Sequence, residues 1–245
     1  MSEIKDIPQF SLHPIGFIHS PYLQKFAVPR QPGLAPSVVS KITFIPPYCD
    51  PEAFKGLQGF SHIHLLFIFD KAPYSEFKAT VRPPRLGGNK RVGVFASRSP
   101  FRPSRIGLSV VKLEKVGEEN GRAYLEVSGA DLVDGTPIID IKPYIPFVDA
   151  HPEAKGGFAD KPPSVKEVVF LPEVLDLLNV FTLKERQAVT EILAQDPRPA
   201  YKGKKEDGKI YKVAFNGYDI AFKAEGNKII VCDVIKLNNK NAKSL

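Results

Sequence analysis

The sequence has little cysteine and no long hydrophobic run, and these absences exclude several classes of protein. Cys49 and Cys232 are far apart and belong to no CxxC or His-containing spacing, which disfavours a structural zinc site and suits a reducing compartment. The longest apolar run, Ile63 to Phe69, is interrupted by His64 and is far too short to cross a bilayer. The N-terminal segment lacks the apolar core of a secretion signal. We therefore expect a soluble, cytosolic protein with no membrane partner.

The familiar nucleotide and hydrolase motifs are also missing. The chain has no GxxxxGK[ST], so the segment Gly87–Lys90 is not a phosphate-binding P-loop, and no GxGxxG follows a predicted strand. No GxSxG elbow and no HExxH occur either. His62 and His64 share one face of a predicted strand, but with no third ligand in sight we expect no metal. Any nucleotide chemistry must therefore rest on other features.

The most unusual feature that is present is a basic stretch, Val81–Gly107. The chain carries a net charge of +7 from 34 basic and 27 acidic residues, and without this stretch the two signs balance. Frequent Pro and Gly place its cations on loops, where they suit a polyanionic partner such as nucleic acid. A solvated basic loop is the simpler alternative. The stretch has no Asp or Glu, and its basic residues are Arg82, Arg85, Lys90, Arg91, Arg98, Arg102 and Arg105.

Aromatic residues stand close to these cations. Tyr74, Phe77, Phe95 and Phe101 are of the kind that stacks on unpaired bases. Aromatic side chains more often belong to a core, and for Phe95 the core is the expected place.

The first half of the chain predicts a β-barrel. Short apolar segments alternate with Pro- and Gly-rich loops, and Asn120-Gly121 predicts a hairpin. Glu52–Leu57 predicts a short helix, and the Pro-rich segment near residues 21–37 is either disordered or a binding loop. The predicted strands are His13–Ser20, Val38–Ile45, a buried Phe60–Phe69, Arg91–Ala96, Gly107–Val116, Arg122–Ser128 and Ile138–Tyr144.

The second half predicts a small α+β domain. Residues 149–164 are rich in Pro, Gly, Lys and Ala and are interpreted as a linker. Short helices are predicted at Pro172–Val180 and, from the capping-box sequence at Thr182, through Gln195. A hairpin around Asn216-Gly217 and a third strand, Lys228–Leu237, complete a small sheet. The predicted fold is mainly β, with a barrel domain over residues 1–150 and an α+β domain over residues 165–245.

Several motifs together resemble the TrmO family, also called YaeB or VirR-like, over nearly the whole chain and in the same order. They are AVPRQPG (Ala27–Gly33), FSHIHLLFIF (Phe60–Phe69), the basic stretch, DLVDGTPIIDIKPYIPF (Asp131–Phe147) and AQDPRPAYKG (Ala194–Gly203). The resemblance implies a β-barrel methyltransferase that forms homodimers. It implies transfer of a methyl group from S-adenosylmethionine to N6 of threonylcarbamoyladenosine, next to the anticodon at position 37 of threonine tRNA.

The resemblance also implies a set of site residues. Relatives commonly have Arg-Pro-Asn-Pro-Ile-Gly where this chain has Arg102–Gly107, and they often have His where Asp70 stands. The expected cofactor-binding residues are Arg30, Gln31, Pro32, Asp70, Lys71, Arg98, Leu108, Val133, Asp134, Gly135 and Thr136.

For the general base and for the function itself, the sequence leaves alternatives open. The target nitrogen is a weak nucleophile because its lone pair is delocalised, so a general base would help, and the catalytic candidates are Asp134, Asp140 and Tyr144. One competing hypothesis is a non-catalytic RNA-binding or regulatory barrel, and another is a different methyl acceptor on the same barrel. The residues expected to bind tRNA are Arg82, Arg85, Lys90 and Arg91.

Overall fold

A computed structural model of the chain describes residues 10–73, 76–199 and 207–237. Its first eight strands are β1 (Gly16–His19), β2 (Val39–Phe44), β3 (His62–Ile68), β4 (Thr80–Val81), β5 (Val92–Gly93), β6 (Ile106–Glu119), β7 (Arg122–Ser128) and β8 (Pro137–Pro143). Six of them close an antiparallel barrel in the order β1-β2-β7-β6-β3-β8. β4 and β5 form a separate two-stranded hairpin. The prediction of a barrel is confirmed.

The barrel core follows from the alternation of its strands. In β7, Ala123, Leu125 and Val127 are buried, while the residues between them point outward, as the sequence predicts. The β6–β7 hairpin turns at Asn120 and Gly121, whose φ angles of 54° and 73° lie in the left-handed region. The buried strand predicted at Phe60–Phe69 is present as β3, but it buries only every second residue and carries His62 and His64 on its outer face.

The second half forms a four-stranded sheet with one main helix. α1 (Pro146–Asp149) follows the barrel, and then come β9 (Glu167–Phe170), α2 (Leu183–Ala194), β10 (Tyr211–Phe215), β11 (Tyr218–Glu225) and β12 (Lys228–Lys236). The sheet order is β10-β11-β12-β9, and β9, which the sequence analysis missed, pairs with β12 in parallel. The capping box is confirmed: Thr182 Oγ1 accepts from Glu185 N, and Glu185 Oε2 accepts from Thr182 N at 2.8 Å.

Three short predicted elements are corrected by the structure. Of the strand predicted at Arg91–Ala96 only Val92–Gly93 pairs, since the chain then turns through a 3-10 helix, Val94–Ala96, that buries Val94. The helix predicted at Glu52–Leu57 is two 3-10 turns, interrupted where Gly56 takes a φ of 88°. Pro172–Val180 is likewise two 3-10 turns. Residues 150–165 are exposed throughout, and a 3-10 turn interrupts them at Gly157–Ala159.

The Pro-rich loop of the first half packs against the second half. Tyr22, Ala27, Ala35 and Val38 are buried in the same core as the apolar face of α2. Ser37 adds two hydrogen bonds, donating from its backbone N and from its Oγ to the carboxylate oxygens of Glu191 at 2.8 Å each. The loop is therefore held between the barrel and α2.

Gly107 is expected to be a sensitive point of the barrel. A Cβ added there would lie 2.2 Å from the ring of Phe67, which is itself buried on the neighbouring strand. Gly107→Ala should therefore destabilise the fold by about 1–3 kcal/mol, the usual effect of overpacking a core. Urea unfolding measures the loss, with Gly59→Ala as the matched control, because a Cβ at Gly59 meets nothing within 4 Å. Equal stabilities for the two variants would contradict the packing seen here.

Candidate active site at one end of the barrel

Two loops are joined at the end of the barrel where β1 and β7 end and β8 begins. The turn at residues 131–136 is tied to the first strand and the Pro-rich loop, since Asp134 N donates to Tyr22 O at 2.9 Å and Gly135 N donates to Ile18 O at 2.8 Å. Gly33 N donates to Gly129 O, also at 2.8 Å. These backbone hydrogen bonds hold the two loops in a fixed position relative to each other, although neither loop is regular secondary structure.

A hydrogen bond links the basic stretch to the same loops. Arg98 Nη1 donates to Gln31 Oε1 at 2.8 Å. Arg30 is exposed beside this pair, and Pro32 is partly buried. The structure thus brings together two residues that are 67 positions apart and that the resemblance assigns to one cofactor.

Lys71 connects the end of β3 to the turn. Its Nζ donates to the carbonyl oxygen of Asp134, and its own carbonyl accepts from Lys25 Nζ. Asp70, next to it, is exposed. Leu108 lies apart from this cluster, exposed on the outer face of β6 and paired with Leu66.

The turn that carries Asp134 is held by short internal bonds. Thr136 donates to Val133 O from both its backbone N, at 3.1 Å, and its Oγ1, at 2.6 Å, and Gly135 has a φ of 75°. Asp134 Oδ1 accepts from Ser20 N at 3.0 Å and lies 4.0 Å from His19 Nδ1. The carboxylate is therefore positioned by the backbone yet partly exposed to solvent.

Asp131 is a site residue that the sequence analysis did not select. Ser109 Oγ donates to Asp131 Oδ1 at 2.6 Å. Burial raises the pKa of the Asp131 carboxyl, while the Ser109 bond and the charge of Arg98 act in the opposite direction. The sequence signal for this pair was the inward position of Ser109 in β6, where an apolar residue is the usual choice.

Replacing Asp131 by Asn should stabilise the fold at neutral pH. Because burial raises the folded-state pKa, the native carboxyl keeps its proton to a higher pH than the unfolded one does, so wild-type stability falls as pH rises past the carboxyl's ordinary pKa. Asn carries no charge and still accepts from Ser109. The stability difference should therefore be present at pH 7 and vanish towards about pH 3, below the ordinary Asp value. Urea unfolding at both pH values checks it, and a wild type more stable than the variant at pH 7 contradicts it.

The three catalytic candidates do not lie together. Asp140 faces outward on β8, paired with Leu66, and its Oδ1 accepts from Ile141 N at 2.9 Å. Tyr144 follows the far end of β8, with its ring 5.4 Å from that of His64. At about 3.3 Å per residue, a strand of this length separates Tyr144 from the Asp134 turn by about 20 Å. Only Asp134 stands in the loop cluster.

The four residues expected to bind tRNA all lie on the β4–β5 hairpin or the loop that joins its strands. Arg82, Arg85, Lys90 and Arg91 are exposed. Arg91 Nη1 donates to Thr80 Oγ1 at 2.9 Å, and Arg85 Nη2 donates to the carbonyl of Lys161. The hairpin therefore presents an exposed basic surface.

The aromatic residues beside the hairpin are not in the core. Phe95 is 68% exposed, Phe77 60% and Phe101 45%, so the expectation that Phe95 is a core residue is wrong. The local reason is the 3-10 turn, which buries Val94 and turns the next side chain outward. Tyr74 lies outside the described residues.

The loop at Arg102–Gly107 is the one that departs from the motif of the resemblance. Arg105 has a φ of 49°, and its Nη1 donates to Ala72 O at 3.3 Å. The resemblance implies that relatives commonly have proline at this position, and proline is restricted to a φ near −65°. The backbone seen here is therefore one that proline does not adopt.

The described residues contain neither a metal-binding cluster nor a membrane-spanning helix. Among the described residues, no three His, Cys, Asp or Glu side chains are grouped so that they would hold a metal ion. None of the helices in the described ranges is both long and apolar enough to span a membrane.

Comparison with known proteins places this geometry in a family. Residues 17–150 match the model of the tRNA-methyltransferase O N-terminal domain, and residues 164–237 match that of the TrmO C-terminal domain. The chain is 44% identical over 220 residues to the tRNA (adenine(37)-N6)-methyltransferase of Escherichia coli, covering 87% of this chain and 93% of that protein. It is 46% identical over 214 residues to a Pseudomonas aeruginosa protein named "Putative S-adenosylmethionine-dependent methyltransferase RcsF", covering 86% of this chain and 90% of that protein.

The fold agrees with these matches. A crystal structure of TrmO from Pseudomonas aeruginosa superimposes with a TM-score of 0.76 at 36% identity, covering 94% of this chain and 99% of that one. The chain belongs to the TrmO family.

Proposed function

We propose that the protein transfers a methyl group from S-adenosylmethionine to N6 of adenine 37 in tRNA. The observation that carries this proposal is the loop cluster in which Gln31 meets Arg98 and Lys71 meets Asp134, next to the exposed basic hairpin. This supports a cofactor site in the loop cluster, joined to a polyanion-binding surface through the basic stretch that carries Arg98. We extend the proposal to the threonylcarbamoyl form of the adenine in threonine tRNA, on the resemblance described above.

The residues of the cluster fit the charges of the methyl donor. S-adenosylmethionine combines a sulfonium, an ammonium and a carboxylate, and it supplies the methyl group on its sulfonium when it is bound. Arg98 is suited to the carboxylate, because a guanidinium forms two parallel bonds with such a group. The carboxylate of Asp131, which Ser109 holds at 2.6 Å, is suited to one of the cationic groups. The remaining proposed contacts are Arg30, Pro32, Asp70, Lys71, Leu108, Val133, Gly135 and Thr136.

The chain's own contribution to the reaction is positioning and proton removal. Holding the acceptor nitrogen in line with the methyl group is a proximity effect. We assign proton removal to Asp134, since Ser20 N fixes one carboxylate oxygen while the side chain stays partly exposed. Asp140 is the runner-up, because Leu66 lies between it and the proposed cofactor contact Leu108.

Three further features complete the proposal. The division into a cofactor-binding barrel over residues 1–150 and a separate domain over residues 165–245 is supported by two hydrophobic cores, although the loop at residues 20–38 contributes to the second. A homodimer and a cytoplasmic location are proposed on the family resemblance.

Removing two hairpin cations should weaken tRNA binding. Arg82→Ala combined with Arg85→Ala removes two exposed cations, so the slope of log affinity against log salt should fall by about two. Filter binding of threonine tRNA over a salt series measures the slope. The matched control is Lys55→Ala with Lys115→Ala, two exposed cations near the other end of the barrel. An unchanged slope for the hairpin variant would remove these arginines from the phosphate contacts.

The alternative is an RNA-binding barrel without catalysis. RNA binding alone would need only the exposed basic hairpin. It predicts tRNA binding but no binding of the methyl donor. Incubation with tritiated donor and a threonine tRNA bearing either threonylcarbamoyladenosine or guanosine at position 37 separates the two. Label in the threonylcarbamoyladenosine tRNA only is the result the proposal expects, and an absence of label in both favours the alternative.

A further inference from the structure

The exposed rings of Phe77 and Phe95 form a pair at the base of the basic hairpin. Their centroids are 6.4 Å apart, and their planes differ by 30°. More than half of each residue stays exposed. Two large apolar rings side by side in water are unfavourable unless a partner covers them. The pair therefore indicates a binding surface.

The backbone beneath Phe95 is held in place by several bonds. Val94 N donates to Ala79 O at 2.9 Å, and Ser97 N donates back to Val94 O at 3.3 Å. Arg102 Nη1 donates to Ser97 O at 2.8 Å, which places its guanidinium carbon 5.5 Å from the centre of the Phe95 ring. The ring is thus presented by a turn that is fixed on both sides, and a positioned ring loses little entropy on binding.

The charge around the pair of rings indicates which kind of partner covers it. Residues 81–107 contain seven Lys or Arg and no Asp or Glu. A two-fold contact with the same surface of a second copy would bring the two positive stretches together, which is unfavourable. Aromatic rings among cations match unpaired nucleotides, whose bases stack while their phosphates pair with Arg and Lys. The bases of duplex RNA are already stacked on one another, so they are not available to stack on the rings.

We propose that Phe95, with Phe77 beside it, is a stacking platform for an unpaired base in the loop of the RNA substrate. The inference rests on the proposed function for its substrate class. It adds a contact to single-stranded RNA that neither the cofactor cluster nor the basic residues supply. Arg102 is fixed beside Phe95 and would lie next to the stacked base.

The test compares two RNAs that differ only in pairing. The probes are an unmodified 17-nucleotide stem-loop with a seven-nucleotide loop and a duplex RNA with the same number of phosphates, at one salt concentration. Phe95→Ala in the full chain should weaken stem-loop binding about tenfold and leave duplex binding unchanged. The salt slope should stay the same, because no charge is removed. Phe147→Ala is the matched control, since Phe147 is 90% exposed and belongs to α1, which follows the far end of β8.

A second variant reports on stacking directly. The chain has no Trp, so Phe95→Trp introduces the only indole. Its fluorescence should be quenched by the stem-loop and not by the duplex. Equal loss on both RNAs, or no loss on either, overturns the proposal. So does a change in the sedimentation coefficient of Phe95→Ala, which would make the pair a subunit contact.

The measurements distinguish a failure of the platform from a failure of the catalytic proposal. If the wild type methylates tRNA while Phe95→Ala binds the stem-loop normally, the platform is wrong and the proposed function stands. If no methyl transfer occurs but stem-loop binding depends on Phe95, the platform stands and the proposed function fails.

Discussion

Asp134→Asn is expected to lower the rate of methyl transfer at least about a hundredfold, the usual contribution of a general base. Asn has the same shape, and its Oδ1 can still accept from Ser20 N, so the turn should keep its geometry. What is lost is the ability to take a proton from the acceptor nitrogen. Single-turnover rates with saturating methyl donor and tRNA isolate this step.

The matched control for Asp134 is Asp140→Asn. Asp140 is also a carboxylate with one oxygen bonded to a backbone N–H, but it lies on the outer face of β8. We expect its replacement to change the single-turnover rate by less than about threefold, since surface substitutions have small effects. If Asp140→Asn is the slow variant and Asp134→Asn is not, the general base is Asp140.

Arg98→Ala is expected to weaken binding of S-adenosylmethionine by about 10- to 100-fold. A hydrogen bond to a charged group contributes about 1.5–3 kcal/mol, and each 1.4 kcal/mol is about tenfold in affinity. The substitution also frees Gln31 and removes the cation that lowers the pKa of Asp131. Titration calorimetry with the full chain and the donor alone measures the effect.

Arg91→Ala serves as the control for Arg98. Arg91 is an exposed arginine of the same basic stretch, and it bonds to Thr80 on the hairpin rather than to the loop cluster. Its loss should leave donor affinity unchanged while weakening tRNA binding. Unchanged donor affinity in Arg98→Ala would exclude Arg98 from the cofactor site.

Local patterns predicted the regular parts of the fold well. Asn-Gly at residues 120–121 and the capping box at Thr182 depend only on residues close to them in the chain, so the sequence alone is enough to predict them. β9 was missed because a four-residue parallel strand has few local signals and depends on its pairing with β12. The 3-10 turn at Val94–Ala96 was missed for a similar reason, since Val94 turns inward to a burial site that no local rule reveals.

The residue types alone predicted less of the candidate site than of the fold. The resemblance supplied Gln31, Lys71 and Arg98, whose contacts join loops far apart in the chain. Asp131 was overlooked because Asp at a turn needs no further explanation, and its environment depends on Ser109 from another strand. The exposure of Phe95 was mispredicted because composition favours burial of aromatic residues.

The most direct test of the account is methyl transfer to defined tRNA. The full chain is incubated with tritiated S-adenosylmethionine and threonine tRNA, with and without the threonylcarbamoyl group at adenine 37. We expect label in the modified tRNA, its release as N6-methylated nucleoside on digestion, and none in the unmodified tRNA. Label in neither tRNA, under conditions where both bind, would contradict the central claim.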